Sequence, residues 1–260
     1  MKYLFSEMGE QVVESLSFTR TLYAFDFDGT LVPIVASPEL VRISRETEKL
    51  LHELASCAAV LIISGRSVAD LSTHITLGRK YLIGNHGLEG LGGNKETIAK
   101  CEAVCSKWLN QLQRGWDALK SDTGTFIENK KYSLALHYRK SRNKKNARLE
   151  LFSLIEKLQP PPRVILGKCV MNLIPAGGPH KGVALLEAMM KLNLKCAFYI
   201  GDDDTDEDVF TLPDNRIITV RVGRRSTSQA QFFLKRQSEI NKLLRNLIKI
   251  NQKSTLHAGV

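Results

Sequence analysis

The chain has 260 residues, of which 43% are hydrophobic and 25% are charged, a composition typical of a globular protein that needs no disulfide or structural metal to fold. No apolar run approaches the roughly 20 residues that span a bilayer, and the start lacks the apolar core of a signal peptide. The five cysteines form no CxxC motif and no Cys/His cluster, which indicates a reducing compartment. We therefore expect a cytoplasmic protein with no membrane partner.

The net charge of +10 is unevenly distributed. Residues 98–175 hold 15 Lys/Arg against 6 Asp/Glu, residues 215–260 hold 10 against 1, and the remainder holds 12 against 20. This asymmetry suits a small anionic substrate delivered to a carboxylate site that holds a cation. The basic C-terminal stretch carries no nucleic-acid motif, so we interpret it as a solvated helix face and expect no nucleic-acid partner. A basic binding or regulatory protein is the alternative.

Strand and helix patterns alternate through the first third of the chain. An apolar strand over 22–25 precedes a helix over 38–56, a strand over 59–63, a helix over 67–75 and a strand over 80–84. This βαβαβ order is typical of a parallel sheet covered by helices.

The middle third has a different pattern. It predicts a helix over 97–120, strands over 124–129 and 132–139, a helix over 143–158, and strands over 164–166 and 169–174. Paired strands with helices on one side indicate a small α+β domain inserted into the first.

The βα pattern then returns. It predicts a helix over 181–191, a strand over 196–200, a short helix over 205–211, a strand over 217–222 and a helix over 236–250. The predicted fold class is therefore α/β, with a parallel-sheet core that the inserted domain interrupts.

Carboxylates cluster at the ends of two of the predicted strands. Asp26 and Asp28 follow the first strand, and six carboxylates fall within residues 202–208 after another. Ligand sites in open α/β sheets lie at the carboxyl ends of the strands, and carboxylates this close repel one another unless a cation relieves them. If the two strands are neighbours, Asp202 meets the first pair, and three carboxylates suit Mg²⁺. A solvated acidic first turn of a helix is the alternative for the second cluster.

Two further polar residues lie at equivalent positions. Ser64 follows the strand over 59–63, and Lys181 opens a helix. Without the other motifs, Ser64 would be interpreted as a turn residue and Lys181 as a surface lysine. Their occurrence with two acidic clusters in one α/β pattern makes both of them candidate site residues.

These motifs resemble the haloacid dehalogenase superfamily of phosphotransferases. Its four marks stand here as Asp26-x-Asp28-x-Thr30, Ser64, Lys181 and Asp202-Asp203. Within the superfamily the chain is most similar to trehalose-6-phosphate phosphatases, over 63–66, 84–89, 127–139 and 201–208. The resemblance implies a Rossmann-like core formed by 1–97 and 176–260, with an inserted α/β cap formed by 98–175.

The resemblance also implies catalytic and metal-binding roles. Asp26 would attack phosphorus and form an aspartyl phosphate, and Asp28 would act as general acid and then as general base. Asp26, Asp202 and the Asp28 carbonyl would hold Mg²⁺. Asp203 and Asp206 would support the metal, either directly or through its ligands.

Further positions would contact the substrate. The phosphoryl oxygens would contact Lys181, Ser64 and Thr30. The positions expected to bind the sugar are Arg66, His86, Glu128, Lys130, Arg139, Lys168 and Asn172.

The sequence departs from the family at a sugar-binding position and at a basic position close to it. Relatives usually carry Val-Glu-x-Arg/Lys-Pro before the lysine motif, whereas this chain has Asn172 and Ile174. We expect a monomeric Mg²⁺-dependent phosphatase that hydrolyses trehalose 6-phosphate. One alternative is a phosphatase for another glycosyl phosphate, such as a glucosylglycerol phosphate, and the other is a sugar phosphomutase of the same superfamily. These alternatives stay open because a sugar site discriminates strongly through the groups that bind the sugar hydroxyls.

Overall fold

The structure is a computed structural model of the chain, and it describes residues 1–35, 41–91, 95–116, 124–167, 169–178 and 180–257. The chain divides into two compact units, Met1–Gly92 with His180–Val260, and Gly93–Pro179. We call them the first and the second unit. That they act as a catalytic core and a cap stays a prediction.

Regular elements cover most of the described residues. The strands are β1 (Lys2–Tyr3), β2 (Thr21–Phe25), β3 (Ala59–Ile63), β4 (Leu82–Ile83), β5 (Phe126–Asn129), β6 (Leu134–His137), β7 (Pro162–Gly167), β8 (Val170–Pro175), β9 (Cys196–Gly201), β10 (Ile217–Val222) and β11 (Phe232–Leu234). The α-helices are α1 (Glu7–Ser15), α2 (Arg45–Cys57), α3 (Val68–His74), α4 (Lys95–Trp116), α5 (Lys144–Ile155), α6 (Lys181–Lys191), α7 (Glu207–Phe210) and α8 (Ile240–His257).

The first unit is built on a parallel sheet of seven strands in the order β1-β11-β10-β9-β2-β3-β4. The central pair is β2 and β9, in which Phe25 lies opposite Ile200. The amide of Asp26 continues this pairing by donating to the carbonyl oxygen of Ile200 at 2.8 Å. The two acidic stretches therefore leave the sheet side by side, and the predicted α/β fold class with a parallel-sheet core is confirmed.

Helices cover both faces of this sheet. On one face Tyr23, Phe25, Ile62 and Phe198 pack with Leu51, Leu54, Leu244 and Leu247 of α2 and α8. On the other face Leu22, Ala24, Leu61 and Tyr199 pack with Leu185, Ala188 and Val209 of α6 and α7. Strands that are buried on both faces read as continuous apolar runs, which is why the sequence predicted them well.

Helix α2 begins later than predicted. The predicted start at residue 38 lies outside the described residues, but 41–44 are not helical and the helix begins at Arg45. Ser44 caps it, since its hydroxyl accepts from the amide of Thr47 at 3.0 Å. A serine cap satisfies an amide that the first helical turn leaves without a partner, and Ser44 is the sequence signal that marks this start.

The second unit contains an antiparallel sheet of four strands in the order β5-β6-β8-β7. Helices α4 and α5 pack on one face of it through Trp108, Leu112, Ala147 and Leu151, against Leu134, Leu136, Met171 and Leu173. This agrees with the prediction of paired strands with helices on one side. The end predicted for the first of these helices, 117–120, lies outside the described residues.

Three short elements were not predicted, namely α1, β1 and β11. The two strands are two and three residues long, which is too short for a strand period to be visible. In the part of the chain that the structure describes, no helix is both long enough and apolar enough to cross a membrane.

Candidate active site

Three carboxylates converge at the carboxyl edge of the parallel sheet. Asp26 follows β2, while Asp202 and Asp206 lie in the loop after β9. One oxygen from each lies within 4.8 Å of the other two. Asp26 is 4% exposed and Asp206 is fully buried. Such a group is unfavourable without a compensating positive charge.

Lys181 supplies part of that charge. It is the first residue of α6 and only 2% exposed, and its Nζ donates to Oδ1 of Asp26 and to Oδ1 of Asp206, each at 2.7 Å. Burial acts to lower the pKa of Lys181, but the carboxylates of Asp206 and Asp26 outweigh it and hold that pKa well above its ordinary value. The lysine is therefore a fixed cation beside Asp26.

Asp206 organises the loop. Besides Lys181, its Oδ1 accepts from the hydroxyl of Tyr199 at 2.6 Å, and its Oδ2 accepts from the amides of Asp202 at 2.8 Å and Asp203 at 2.9 Å. Each carboxylate oxygen of Asp206 thus accepts two hydrogen bonds. This carboxylate holds Lys181 in place and shapes the loop that carries Asp202.

The residues present fit a divalent cation. Among the described residues, Oδ1 of Asp202 is buried and has no hydrogen-bond partner, and Asp202 is one of the three grouped carboxylates. Burial raises the pKa of Asp202 to about 8, helped by the charges of Asp206 and Asp203. Burial also raises the pKa of Asp26, although Lys181 opposes it. A hard divalent cation binds carboxylate oxygens, and it supplies the positive charge that this group of carboxylates lacks.

We expect the metal-free protein to lose stability as the pH rises from about 4 to about 8. Because the pKa of Asp202 rises from roughly 3.9 in the unfolded chain to about 8 in the fold, the folded state holds a proton that the unfolded state has released. The free energy of unfolding then falls as the pH rises, by about 1.4 kcal/mol for each pKa unit.

Urea unfolding in EDTA at the two ends of that range measures this effect. In Asp202→Asn the difference between the two pH values should shrink, because the titrating group is gone. An unchanged difference in the variant would show that Asp202 is not the source.

Asp203 lies outside the carboxylate group. Its Oδ1 accepts from the amide of Thr205 at 2.7 Å and from the hydroxyl of Thr205 at 2.6 Å. The side chain is thus turned into its own loop.

Asp28 lies against an arginine that we predicted to bind sugar. Arg66 holds both oxygens of Asp28, through Nε at 2.6 Å and Nη2 at 2.8 Å. The guanidinium also contacts Asp70 at 2.7 Å and lies 5.8 Å from the centre of the Phe27 ring. Paired hydrogen bonds of this kind fix the plane of a carboxylate, so Arg66 orients Asp28.

Two hydroxyls and an imidazole lie along the same edge. Ser64 is 1% exposed and follows β3, and the hydroxyl of the buried Thr30 has no hydrogen-bond partner within the described part of the chain. His86 has a left-handed φ of 57°, and its ring packs so closely on Gly65 that a Cβ there would lie 2.6 Å from Cε1. Backbone strain of this kind is typical of functional sites.

The second unit carries the other predicted sugar-binding residues. Glu128 contacts Nε2 of His137 at 2.8 Å, and Phe126 stacks on that imidazole with ring centres 4.4 Å apart. Glu128 lies opposite Ala135, which lies opposite Asn172. Directly opposed residues share a face of a sheet, so Glu128 and Asn172 are on the same face.

The lysines and the arginine predicted to bind sugar in that unit lie beyond strand ends or outside the described residues. Lys130 follows β5, Arg139 lies beyond the end of β6 and is exposed, and Lys168 lies outside the described residues. Asn172 donates to the carbonyl oxygen of Ile165 at 3.5 Å.

Sequence reasoning missed Tyr199, Arg221 and His137 as site residues. The first two lie inside apolar strands, yet both are buried. A polar residue in a buried strand is the signal that could have identified them.

The chain is similar to known proteins in both sequence and fold. Trehalose-phosphate phosphatase B of Arabidopsis thaliana is 26% identical over 95% of this chain and 71% of its own length. A solved trehalose-6-phosphate phosphatase related protein is 22% identical with a TM-score of 0.72, over 90% of this chain and 99% of that chain. A sugar phosphatase of haloacid dehalogenase subclass IIB is 15% identical with a TM-score of 0.53, over 88% and 99%.

The protein shares its fold with that sugar phosphatase. The sequence matches define its class: it is a phosphatase, a phosphoric monoester hydrolase. The trehalose-phosphatase family model matches residues 24–238. Because that match covers most of the sequence, the chain belongs to the trehalose-phosphatase family.

Proposed function

We propose that this protein is a Mg²⁺-dependent phosphatase that hydrolyses trehalose 6-phosphate to trehalose and phosphate through an aspartyl phosphate on Asp26. The observation that carries the proposal is the contact of buried Lys181 with Asp26, next to the carboxylate of Asp202. The similarity to trehalose-phosphate phosphatase B supports trehalose 6-phosphate as the substrate.

In the first step a carboxylate oxygen of Asp26 attacks phosphorus, and the bond between phosphorus and the sugar oxygen breaks. Asp28 gives its proton to that oxygen as the sugar leaves. Arg66 contributes by fixing the plane of the Asp28 carboxyl group. Splitting hydrolysis at a covalent intermediate replaces one difficult step with two easier ones.

In the second step water attacks phosphorus and the bond to Asp26 breaks. Asp28, now a carboxylate, takes the proton from that water. Lys181 keeps its charge throughout and stabilises Asp26 as a leaving carboxylate. The hydroxyls of Thr30 and Ser64 donate to phosphoryl oxygens, a use that suits a buried hydroxyl such as that of Thr30.

Mg²⁺ would be held by Asp26, Asp202 and the Asp28 carbonyl, with Asp203 and Asp206 as supports. When bound, it neutralises negative charge on the phosphoryl group and on the carboxylates. The buried and unsatisfied oxygen of Asp202 supports this assignment.

The residues that we propose to bind the sugar are Arg66, His86, Glu128, Lys130, Arg139, Lys168 and Asn172. Carboxylates and cations suit a ligand rich in hydroxyls. The sequence departures at Asn172 and Ile174 favour a second candidate, another glycosyl phosphate such as a glucosylglycerol phosphate. A neutral amide and an alkyl group replace charged residues there, and such replacements change which sugar is bound.

Phosphate release from a panel of sugar phosphates, with and without Mg²⁺, tests the proposal. We expect release that depends on Mg²⁺ and is fastest with trehalose 6-phosphate. Inactivity across the panel would overturn the proposal, and isomerised sugar phosphate without free phosphate would identify a mutase instead.

Asn172→Glu should raise kcat/KM for trehalose 6-phosphate by about 10- to 150-fold, since a hydrogen bond to a charged group is worth about 1.5–3 kcal/mol. The matched control is Asn172→Gln, which has the same length without the charge. Equal effects of the two substitutions would show that the missing carboxylate does not limit this substrate.

A further inference from the structure

A buried arginine, Arg221, binds the acidic loop after β9 and has no role in the proposed reaction steps. Arg221 lies in β10, opposite Gly201 at the end of β9, and it is 5% exposed. Its Nη1 donates to the carbonyl oxygen of Asp203 at 3.1 Å and to Oε1 of Glu207 at 3.0 Å. Its Nη2 donates to the carbonyl oxygen of Asp202.

Arg221 and Asp206 bind complementary backbone groups of the loop. Asp206 accepts the amides of Asp202 and Asp203, and Arg221 donates to the carbonyls of the same two residues. Three consecutive peptide groups are therefore oriented by one anion and one cation. The side chain of Asp202 projects from the middle of this fixed segment.

The ion pair with Glu207 is itself fixed. The second oxygen of Glu207 accepts from the amide of Gln229 at 3.0 Å, so the carboxylate cannot turn away from Arg221 without losing that contact. Only a guanidinium offers several donors in one rigid plane, which matches the two carbonyls and one carboxylate around it.

We propose that Arg221 is a positioning residue for cation binding: it fixes the backbone of Asp202 and Asp203 so that the Asp202 carboxylate meets a divalent cation beside Asp26. The inference rests on the proposed function in one respect, namely that Asp202 is a metal ligand. A purely structural role would instead make Arg221 important for stability alone.

Binding of Mn²⁺, followed by the electron paramagnetic resonance of the unbound ion, tests this without relying on activity. The full chain is compared with Arg221→Met, Arg221→Lys and Arg216→Met. Arg216 is a matched control, because it is an exposed arginine just before β10 that pairs with Asp214. Urea unfolding of each protein reports the fraction that is folded.

We expect Arg221→Met to weaken Mn²⁺ binding by about 10- to 100-fold, the usual effect of losing a group that orients a metal ligand. Arg221→Lys should also weaken it at least about tenfold, since an ammonium lacks the planar fork. Arg216→Met should bind as the wild type does. In activity assays the Mg²⁺ concentration for half-maximal rate should rise while KM for the sugar phosphate stays unchanged.

Two outcomes would overturn the inference. Wild-type affinity in folded Arg221 variants, with only their stability reduced, would leave Arg221 a structural residue and leave the proposed function intact. A wild-type protein that binds no Mn²⁺ and needs no Mg²⁺ would overturn the metal site together with the role of Arg221. If Arg221→Met does not fold, the lysine variant decides between these results.

Discussion

Asp26→Asn should lower phosphate release by about 10⁴-fold or more, the scale of losing a covalent nucleophile. An amide cannot attack phosphorus as a carboxylate does, so the covalent step is lost. The substitution keeps the size and shape of the side chain, and it removes one negative charge from the buried group formed with Asp202 and Asp206. We therefore expect the variant to remain folded.

Phosphate release with saturating sugar phosphate and Mg²⁺ measures the loss, and circular dichroism with urea unfolding provides the control for folding. The site offers an internal comparison in Asp28→Asn, which removes the acid and base but leaves the nucleophile. Near wild-type release by Asp26→Asn would exclude Asp26 as the nucleophile.

Lys181→Met should both abolish efficient phosphate release and destabilise the fold by about 3–5 kcal/mol, the usual effect of removing one partner from a buried ion pair. The lysine is 2% exposed and lies 2.7 Å from both Asp26 and Asp206. Without it, two buried carboxylates lose their shared cation. The transferred phosphoryl group loses a fixed positive charge, which is worth about 10²–10³ in rate.

Urea unfolding and phosphate release of the same preparation test both effects. Lys195→Met is the matched control, because Lys195 is an exposed lysine shortly after the same helix, and it should change neither quantity. Part of the lost stability should return at low pH, where the stranded carboxylates are protonated. A Lys181→Met protein with wild-type stability would contradict the buried ion pairs described here.

The parts of the fold that the sequence predicted best are those with a strong local pattern. The predicted bounds of β3, β10 and α6 match the structure. Buried parallel strands are short apolar runs between turns, and α6 follows a glycine and proline break. Helix α2 begins later than the apolar periodicity predicted, because Ser44 caps its first turn.

For the candidate site, the sequence identified Asp26, Asp202 and Lys181 but not how they meet. Their contact depends on β2 and β9 being neighbours, and strand order is set by long-range packing that no local pattern contains. The same holds for the partners of Tyr199 and Arg221, which become visible only when strands and loops are placed together. The orientation of Arg66 onto Asp28 was missed for this reason as well.

Formation of an aspartyl phosphate on Asp26 is the central claim, and trapping it is the most direct test. The wild-type protein is mixed with trehalose 6-phosphate and Mg²⁺, quenched during turnover and reduced with borohydride, which converts a phosphorylated aspartate to homoserine. Mass spectrometry of the peptide that contains residue 26 then reads the product. We expect homoserine at position 26 only when substrate is present; phosphate release with unmodified aspartate at that position would contradict the account.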